Sequence, residues 1–371
     1  GSVNELIALD LPGGHRFVEL LRRAWDDGDA VLPVDQRLPH PAKAELLSAM
    51  GATIVVDAAA DRSRVAGGRP VDDPDALVVA TSGSTGAPKG VVLTHDAVAA
   101  SARATSRRLE VNDDDHWLAC LPLAHVGGLS VVTRALHADT RLTVLPEFDA
   151  AAVDASEATL VSLVATALAR IDPARWRTIV LGGARPPADR PPNCVTTYGM
   201  TETGSGVVYD RRPIDDVEIR IVDGEIQLRC PMLLRCYRDG TDPRLPDGWF
   251  PTGDLGRFDD GLLSVLGRRG DLIITGGENV WPEPVEDALR SLPGVADVAI
   301  VGVPDPEWGQ RVHAVVVPAS PGDPPSLDRL RDAVKRVLPA FCAPRSLELR
   351  TALPRTALGK LRRGEIAPGA D

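Results

Sequence analysis

The chain has 371 residues, is 44% hydrophobic and 4% aromatic, and carries a net charge of −11. That is enough apolar material for two ordinary domains or one large one, and it excludes a disordered chain. The acidic balance argues against a general binder of nucleic acid or of acidic membranes.

Gly1-Ser2 reads as a cloning remnant. Residues 16–25 and 41–50 read as helices, and residues 53–56, 76–80 and 90–94 as strands. A helix is expected over 96–109, a strand over 117–120, a helix over 129–137, and strands over 141–145 and 159–164. Such alternation predicts an α/β fold, with sheets flanked by helices. From Val217 the pattern changes to strict alternation over 217–222 and 225–229, around the hairpin dipeptide Asp223-Gly224. A domain boundary is expected near 267–271. Beyond it, strands over 272–275, 295–303, 312–317 and 347–349 and helices over 283–292 and 327–338 make a small α+β set. About 100 residues of this kind suffice for a small domain.

Five cysteines (Cys120, Cys194, Cys230, Cys236 and Cys342) show no C-x-x-C pairing. They read as reduced thiols of a cytoplasmic protein rather than as a metal site or a disulfide framework. No apolar run approaches membrane-spanning length and no signal peptide is visible, so membrane insertion is not expected.

The most informative segment is T-S-G-S-T-G-A-P-K-G, Thr81 to Gly90. Its glycines let backbone N–H groups turn towards an anion, its hydroxyls (Thr81, Ser82, Ser84, Thr85) add donors, and Lys89 adds a point charge. Strand-like runs on both sides argue for a phosphate loop over a linker. The common mononucleotide loop needs Gly-Lys followed by Ser or Thr. Here Pro88 precedes Lys89 and Gly90 follows it, so magnesium must be held from elsewhere.

Four further segments carry chemistry-bearing residues. Tyr198-Gly-Met-Thr-Glu-Thr-Gly204 offers a flat ring for a base and, in Glu202, a hard oxygen for magnesium; a solvated turn glutamate is the bland alternative. Asp254, expected after a tight turn in Trp249–Leu255, reads either as an acceptor for ribose hydroxyls or as a turn aspartate bonding its own backbone. His125 stands on a loop before a helix, able to gate or polarise a substrate carbonyl or simply to serve the structure. Arg134 interrupts an apolar helical run, either as a pocket cation or as a snorkelling surface arginine.

The order of the phosphate loop, histidine loop, Tyr-Gly-x-Thr-Glu, Gly-Asp, the Gly-Arg run 267–279 and the terminal Gly-Lys at 359–360 resembles the adenylate-forming acyl-CoA synthetases, relatives of luciferase and of peptide-synthetase adenylation domains. The likeness covers roughly residues 31 to 363 and includes the early P-x-D-x-x-x-P segment, Pro33 to Pro39. It implies a large N-terminal adenylation domain, residues 3–267 and shortened at its N-terminus, and a small mobile C-terminal lid, residues 268–371, hinged near 268–271 at Gly270. It also implies ATP and CoA as co-substrates with Mg2+ as cofactor. A carboxylate would attack the α-phosphate of ATP, and the CoA thiol would then displace AMP.

By that resemblance Thr81, Ser82, Gly83, Ser84, Thr85, Gly86 and Lys89 hold the β- and γ-phosphates. Tyr198 and Gly199 lie against adenine, with Gly183-Ala184 opposite. Thr201 contacts the α-phosphate, Glu202 holds magnesium, and Asp254 helped by Arg268 binds the ribose. Lys360 bridges the attacking carboxylate and the α-phosphate, and the lid then swings Gly276-Gly277 to the pantetheine tunnel. The o-succinylbenzoate–CoA ligases of menaquinone biosynthesis are the most similar branch, with a basic residue where Arg134 stands; His125 and Arg134 would face the acid. Other aryl or fatty acid–CoA ligases, a stand-alone enzyme loading a carrier protein, and a non-catalytic nucleotide sensor remain alternatives. A homodimer is common in such a family.

Overall fold

The computed structural model describes residues 4–82, 88–183, 186–187, 189–355 and 361–366. Chain contacts divide it into two units, residues 1–219 with 228–250, and residues 220–227 with 251–371. Segments 220–227 and 251–267, expected with the larger domain, group with the second unit.

The first unit is built on two seven-stranded sheets. In the first, Ala30–Pro33, Leu6–Asp10 and Ile54–Asp57 run parallel at the centre. Asp75–Ser82 joins them in parallel, and Pro88–Thr94 returns antiparallel beside it. The short strand Cys236–Tyr237 closes that edge against Pro88–Thr94. In the second sheet Arg141–Val144, His116–Ala119, Leu160–Leu163, Thr178–Leu181 and Cys194–Met200 are parallel. Ser205–Tyr209 and Arg212–Pro213 complete it antiparallel. Several central strands are buried end to end, as expected of parallel strands covered on both faces.

Helices cover these sheets for readable reasons. In His15–Asp26 the buried residues Phe17, Leu20, Leu21 and Ala24 recur at helical spacing. In His95–Arg108 the Thr94 hydroxyl accepts from Ala97 N, Asp96 sits in the first turn, and Arg107 and Arg108 in the last. Val126–Ala138 starts directly after His125 and ends at Asp139 in the left-handed region. The helix thus begins three residues before the expected one.

The second unit carries most of a four-stranded sheet, Glu218–Val222, Glu225–Arg229, Phe250–Asp259 and Leu262–Arg268. Asp223 and Gly224 both have positive φ, 48° and 78°, giving the expected tight hairpin. Its other sheet joins Glu278–Val280, Ile273–Thr275, Gly309–Pro318 and Val295–Asp305, with Ser346–Leu349 parallel to Gly309–Pro318. Helices Pro282–Arg290 and Leu327–Lys335 bury Val285, Leu289, Leu330 and Val334 in one core with Val298, Ile300, Val312 and Ala314. Among the described residues no helix is long and apolar enough to cross a membrane. All five cysteines are free.

Candidate active site

The strands Asp75–Ser82 and Pro88–Thr94 form the arms of the Gly/Ser-rich loop, with Thr81 opposite Lys89 at its mouth. Gly83, Ser84, Thr85 and Gly86 lie outside the described residues, as do Ala184 and Lys360. Lys89 places Nζ 5.1 Å from the centre of the Tyr237 ring. The Tyr237 hydroxyl donates to Glu202 Oε1 at 2.9 Å.

Glu202 stands in a single 3-10 turn, Thr201–Thr203, closed by Gly204 at φ 65°. The buried Thr203 hydroxyl donates to the Ser205 carbonyl at 2.7 Å and accepts from Met200 N at 3.1 Å, which fixes the turn. Tyr198 belongs to the strand Cys194–Met200. A bulge falls between Tyr198 and Gly199. A Cβ on Gly199 would sit 2.2 Å from the Ser205 carbonyl, so only glycine fits this approach. Leu181 is in register with Thr196 on the neighbouring parallel strand, and Gly183, at φ 83°, and Tyr198 each lie two residues beyond that pair. The carboxyl ends of parallel strands are where such sheets bind ligands.

His125 puts Nε2 3.4 Å from Asp35 Oδ2 and 3.2 Å from Arg37 Nη2. Arg37 also grips Asp35, with Nε to Oδ1 at 2.8 Å and Nη2 to Oδ2 at 2.7 Å. Burial pushes the Asp35 carboxyl up, but the hydrogen bonds from His125 and Arg37 outweigh it and hold it far below the usual carboxylate range. The sequence marked Asp35 and Arg37 only as parts of a family segment; nothing local announced that they meet His125.

Arg134 is 3% exposed, which removes the surface alternative. Its Nη2 donates to Ser130 Oγ at 3.1 Å and also to Ser205 Oγ, and Nη1 reaches Ser162 Oγ at 3.4 Å. Trp117 covers one face of the guanidinium. Nε is buried without a partner, and Arg134 pairs with no carboxylate among the described residues.

In the second unit Asp254 Oδ1 meets Arg268 Nε at 2.9 Å, each opposite the other on neighbouring strands. Asp254 does not follow a turn: it lies within the ten-residue strand Phe250–Asp259. Gly253, at φ 72°, is absorbed there because its N–H donates to Glu225 Oε1 at 2.9 Å. Gly270 stands in the 3-10 turn Arg269–Asp271. Gly276 and Gly277, at φ 60° and 83°, make the turn between Ile273–Thr275 and Glu278–Val280. Arg355 and Leu361, flanking the undescribed 356–360, form an antiparallel bridge, and Arg355 pairs with Asp297 at 2.6 Å.

Among the described residues no three acidic, cysteine or histidine side chains cluster as a cation cage. Glu202 supplies a single hard oxygen. That fits magnesium, which keeps waters and phosphate oxygens in its shell rather than demanding a protein cage.

Comparison with known proteins gives the same reading. Residues 65–231 match the AMP-binding enzyme family, and residues 284–360 match the AMP-binding enzyme C-terminal domain. A probable 2-succinylbenzoate–CoA ligase of Mycobacterium tuberculosis is 39% identical over 331 residues, 81% of this chain and 85% of that protein. The 2-succinylbenzoate–CoA ligase of Bacillus cytotoxicus is 35% identical over 78% of this chain and 69% of that protein. Among solved structures, the o-succinylbenzoate CoA synthetase MenE of Bacillus subtilis, in complex with the acyl-adenylate OSB-AMP, aligns with a TM-score of 0.86. It is 27% identical, and the alignment covers 99% of this chain and 88% of that one. The same enzyme with ATP and magnesium ion aligns at 0.85 and 28% identity, over 98% of this chain and 89% of that one. Similarity of this extent means that the chain belongs to the AMP-binding enzyme family, among its AMP-forming acid–CoA ligases.

Proposed function

We propose that this chain is an ATP-dependent 2-succinylbenzoate–CoA ligase of menaquinone biosynthesis, working in the cytoplasm. An oxygen of the acid attacks the α-phosphorus of ATP, the bond to the bridging oxygen of the β-phosphate breaks, and acyl-adenylate and pyrophosphate form. The CoA thiolate then attacks the acyl carbon and AMP departs.

The loop from Thr81 to Lys89 holds the β- and γ-phosphates. Tyr198, Gly199, Gly183 and Ala184 flank adenine, Thr201 contacts the α-phosphate, and Asp254 with Arg268 takes the ribose hydroxyls. Glu202 holds magnesium, whose charge, when bound, offsets that of the phosphates. Lys360 bridges the attacking carboxylate and the α-phosphate, where negative charge accumulates in the transition state. His125 faces the reacting carboxyl, and Gly276-Gly277 line the way for the pantetheine arm. The division into an adenylation domain, 3–267, and a lid, 268–371, turning at Gly270, belongs to the same proposal.

One observation carries the choice of acid. Arg134 is a buried cation with no carboxylate beside it among the described residues. Burying such a charge costs several kcal/mol unless a counter-charge arrives. A substrate with a second carboxylate supplies it, and 2-succinylbenzoate has one; the names of the relatives point to the same acid.

The test is AMP release from ATP across a panel of acids, with and without CoA. 2-Succinylbenzoate is expected to surpass benzoate and medium-chain fatty acids by at least about 100-fold in kcat/KM, with thioester formed on free CoA. Equal rates with a monocarboxylic acid would overturn the choice of substrate. Adenylation without transfer to free CoA would favour a carrier-loading enzyme.

A further inference from the structure

None of the sequence motifs singles out Tyr237, yet it touches two of the residues they do single out. Its ring lies under the Lys89 ammonium, 5.1 Å from Nζ, and its hydroxyl donates to Glu202 Oε1 at 2.9 Å. Lys89 and Glu202 carry opposite charges and form no ion pair with each other among the described residues.

The segment around Tyr237 is fixed at both sides. Leu234 N donates to the Glu202 carbonyl at 2.7 Å. Arg235 N donates to Val92 O at 2.9 Å, and Arg238 N to Gly90 O at 2.7 Å, on the strand that leaves the phosphate loop. Arg235 forks onto the fully buried Asp75 with two contacts of 2.8 Å, at the start of the strand that enters the loop. Residues 234–238 thus stitch the arms of the phosphate loop, in one sheet, to the Glu202 turn at the end of the other.

We propose that Tyr237 is a positioning residue for the metal–triphosphate site. It keeps Lys89 and Glu202 apart while orienting each. A direct Lys89–Glu202 pair would neutralise the cation meant for phosphate and the carboxylate meant for magnesium. The interposed ring offers Lys89 a π face, which attracts an ammonium without capturing it as a carboxylate does. The phenol hydroxyl satisfies one carboxylate oxygen and leaves the other for the metal, as hydrogen-bonded partners of metal ligands do. The proposal rests on the reading of Glu202 as the magnesium carboxylate.

Two variants separate the two contacts. Tyr237→Phe keeps the ring and removes the hydroxyl; Tyr237→Leu removes both. The probes are Mn2+ binding to the enzyme–ATP complex, followed by electron paramagnetic resonance, and the Mg2+ dependence of ATP–pyrophosphate exchange. For Tyr237→Phe, Mn2+ is expected to bind about tenfold more weakly, in line with a lost hydrogen bond to a charged group. Its Mg2+ half-saturation rises equally, with the KM for ATP at saturating metal unchanged. Tyr237→Leu is expected to raise the KM for ATP as well, because Lys89 is then free to fall onto Glu202. A purely structural tyrosine would lower the melting temperature without this metal-specific shift. Tyr237→Phe binding Mn2+ as tightly as the parent overturns the proposal. Glu202→Gln is the companion arm. Metal binding lost there but intact in Tyr237→Phe sinks Tyr237 alone, whereas metal binding unchanged in Glu202→Gln sinks the reading of Glu202 and the proposal with it.

Discussion

The guanidinium of Arg134 lies against the face of Trp117, with Cζ 5.5 Å from the ring centre. The indole and the serine hydroxyls of Ser130, Ser162 and Ser205 replace part of the water this cation gave up. They do not neutralise it. Arg134→Met replaces the charge with an apolar chain of similar length. The KM for 2-succinylbenzoate is expected to rise at least about tenfold, the loss of a charged hydrogen bond being worth about 1.5 to 3 kcal/mol. The KM for ATP should move less than about twofold. Thermal stability is expected to hold or improve, since apolar replacements of buried charges often stabilise. Steady-state kinetics with each substrate varied in turn decide the matter, and an unchanged KM for the acid would remove Arg134 from the substrate site.

Lys360 carries a different signature. On the proposed mechanism its ammonium acts while the α-phosphate is pentavalent, and it has no task in the thiol attack. Lys360→Ala is therefore expected to lower adenylation by at least about 1,000-fold, in the range seen when one preorganised charge donor is lost. Thioester formation from supplied acyl-adenylate and CoA should stay within a few-fold of the parent. The two half-reactions are measured apart, by pyrophosphate release and by single-turnover thioester formation. Equal loss in both, with the protein folded, would reject the assignment.

What the sequence disclosed follows from how local each constraint is. The arms of the phosphate loop and the Glu202 turn were legible because a backbone approach needing glycine leaves glycines in the chain. The Asp223-Gly224 hairpin was legible for the same reason. Leu6–Asp10 and Ala30–Pro33 went unread: they are short apolar runs buried on both faces, with no alternation to mark them as strands. Asp254 was misplaced because Pro251 and Gly253 look like a turn, while the ladder to Leu262–Arg268 holds them in a strand. Tyr237 and Arg37 could not be found, because their partners Glu202 and His125 lie 35 and 88 residues away. Pairings of that range are set by sheet order, which no short window contains.

Stability towards acid should depend on Asp115. This carboxylate is 2% exposed and is held by Arg177 through Nε at 2.7 Å and Nη2 at 2.6 Å. Thr159 Oγ1 donates to it at 2.8 Å and Asn112 N at 3.0 Å. Burial alone would push its pKa up, but these partners prevail and hold it below the usual value. An acid with a depressed folded-state pKa contributes stability that is fully present above its unfolded value, about 3.9. That contribution is lost as pH falls from there through the folded-state pKa. Asp115→Asn should cost about 1 to 2 kcal/mol at pH 7: the charged hydrogen bonds to the buried carboxylate are lost, while water partly compensates the third-exposed Arg177. Below about pH 4 the gap between variant and parent should shrink, closing only once the pH has passed the folded-state pKa. Urea midpoints at pH 7, 4 and 3 test this; a gap that stays constant across the three would contradict it.

Two glycines, one in each unit, make opposite predictions. A Cβ on Gly199 would meet the Ser205 carbonyl at 2.2 Å and the Gly206 Cα at 2.6 Å. Both are backbone atoms, so relief requires the bulge between Tyr198 and Gly199 to open, which moves the Tyr198 ring and the Glu202 turn together. Gly199→Ala is expected to lose about 3 kcal/mol of stability, a typical cost of overpacking a tight site. Its KM for ATP should rise in the fraction that still folds. A Cβ on Gly270 would meet nothing within 4 Å. Gly270→Ala is expected to stay within about 1 kcal/mol of the parent or gain slightly, because alanine narrows the unfolded ensemble. Any slowing of turnover in that variant then reports on backbone freedom at the proposed hinge rather than on folding. Thermal melts and nucleotide titrations on the two proteins separate the cases. Equal destabilisation by both substitutions would mean that the strand crossing at Gly199 is looser than its geometry implies.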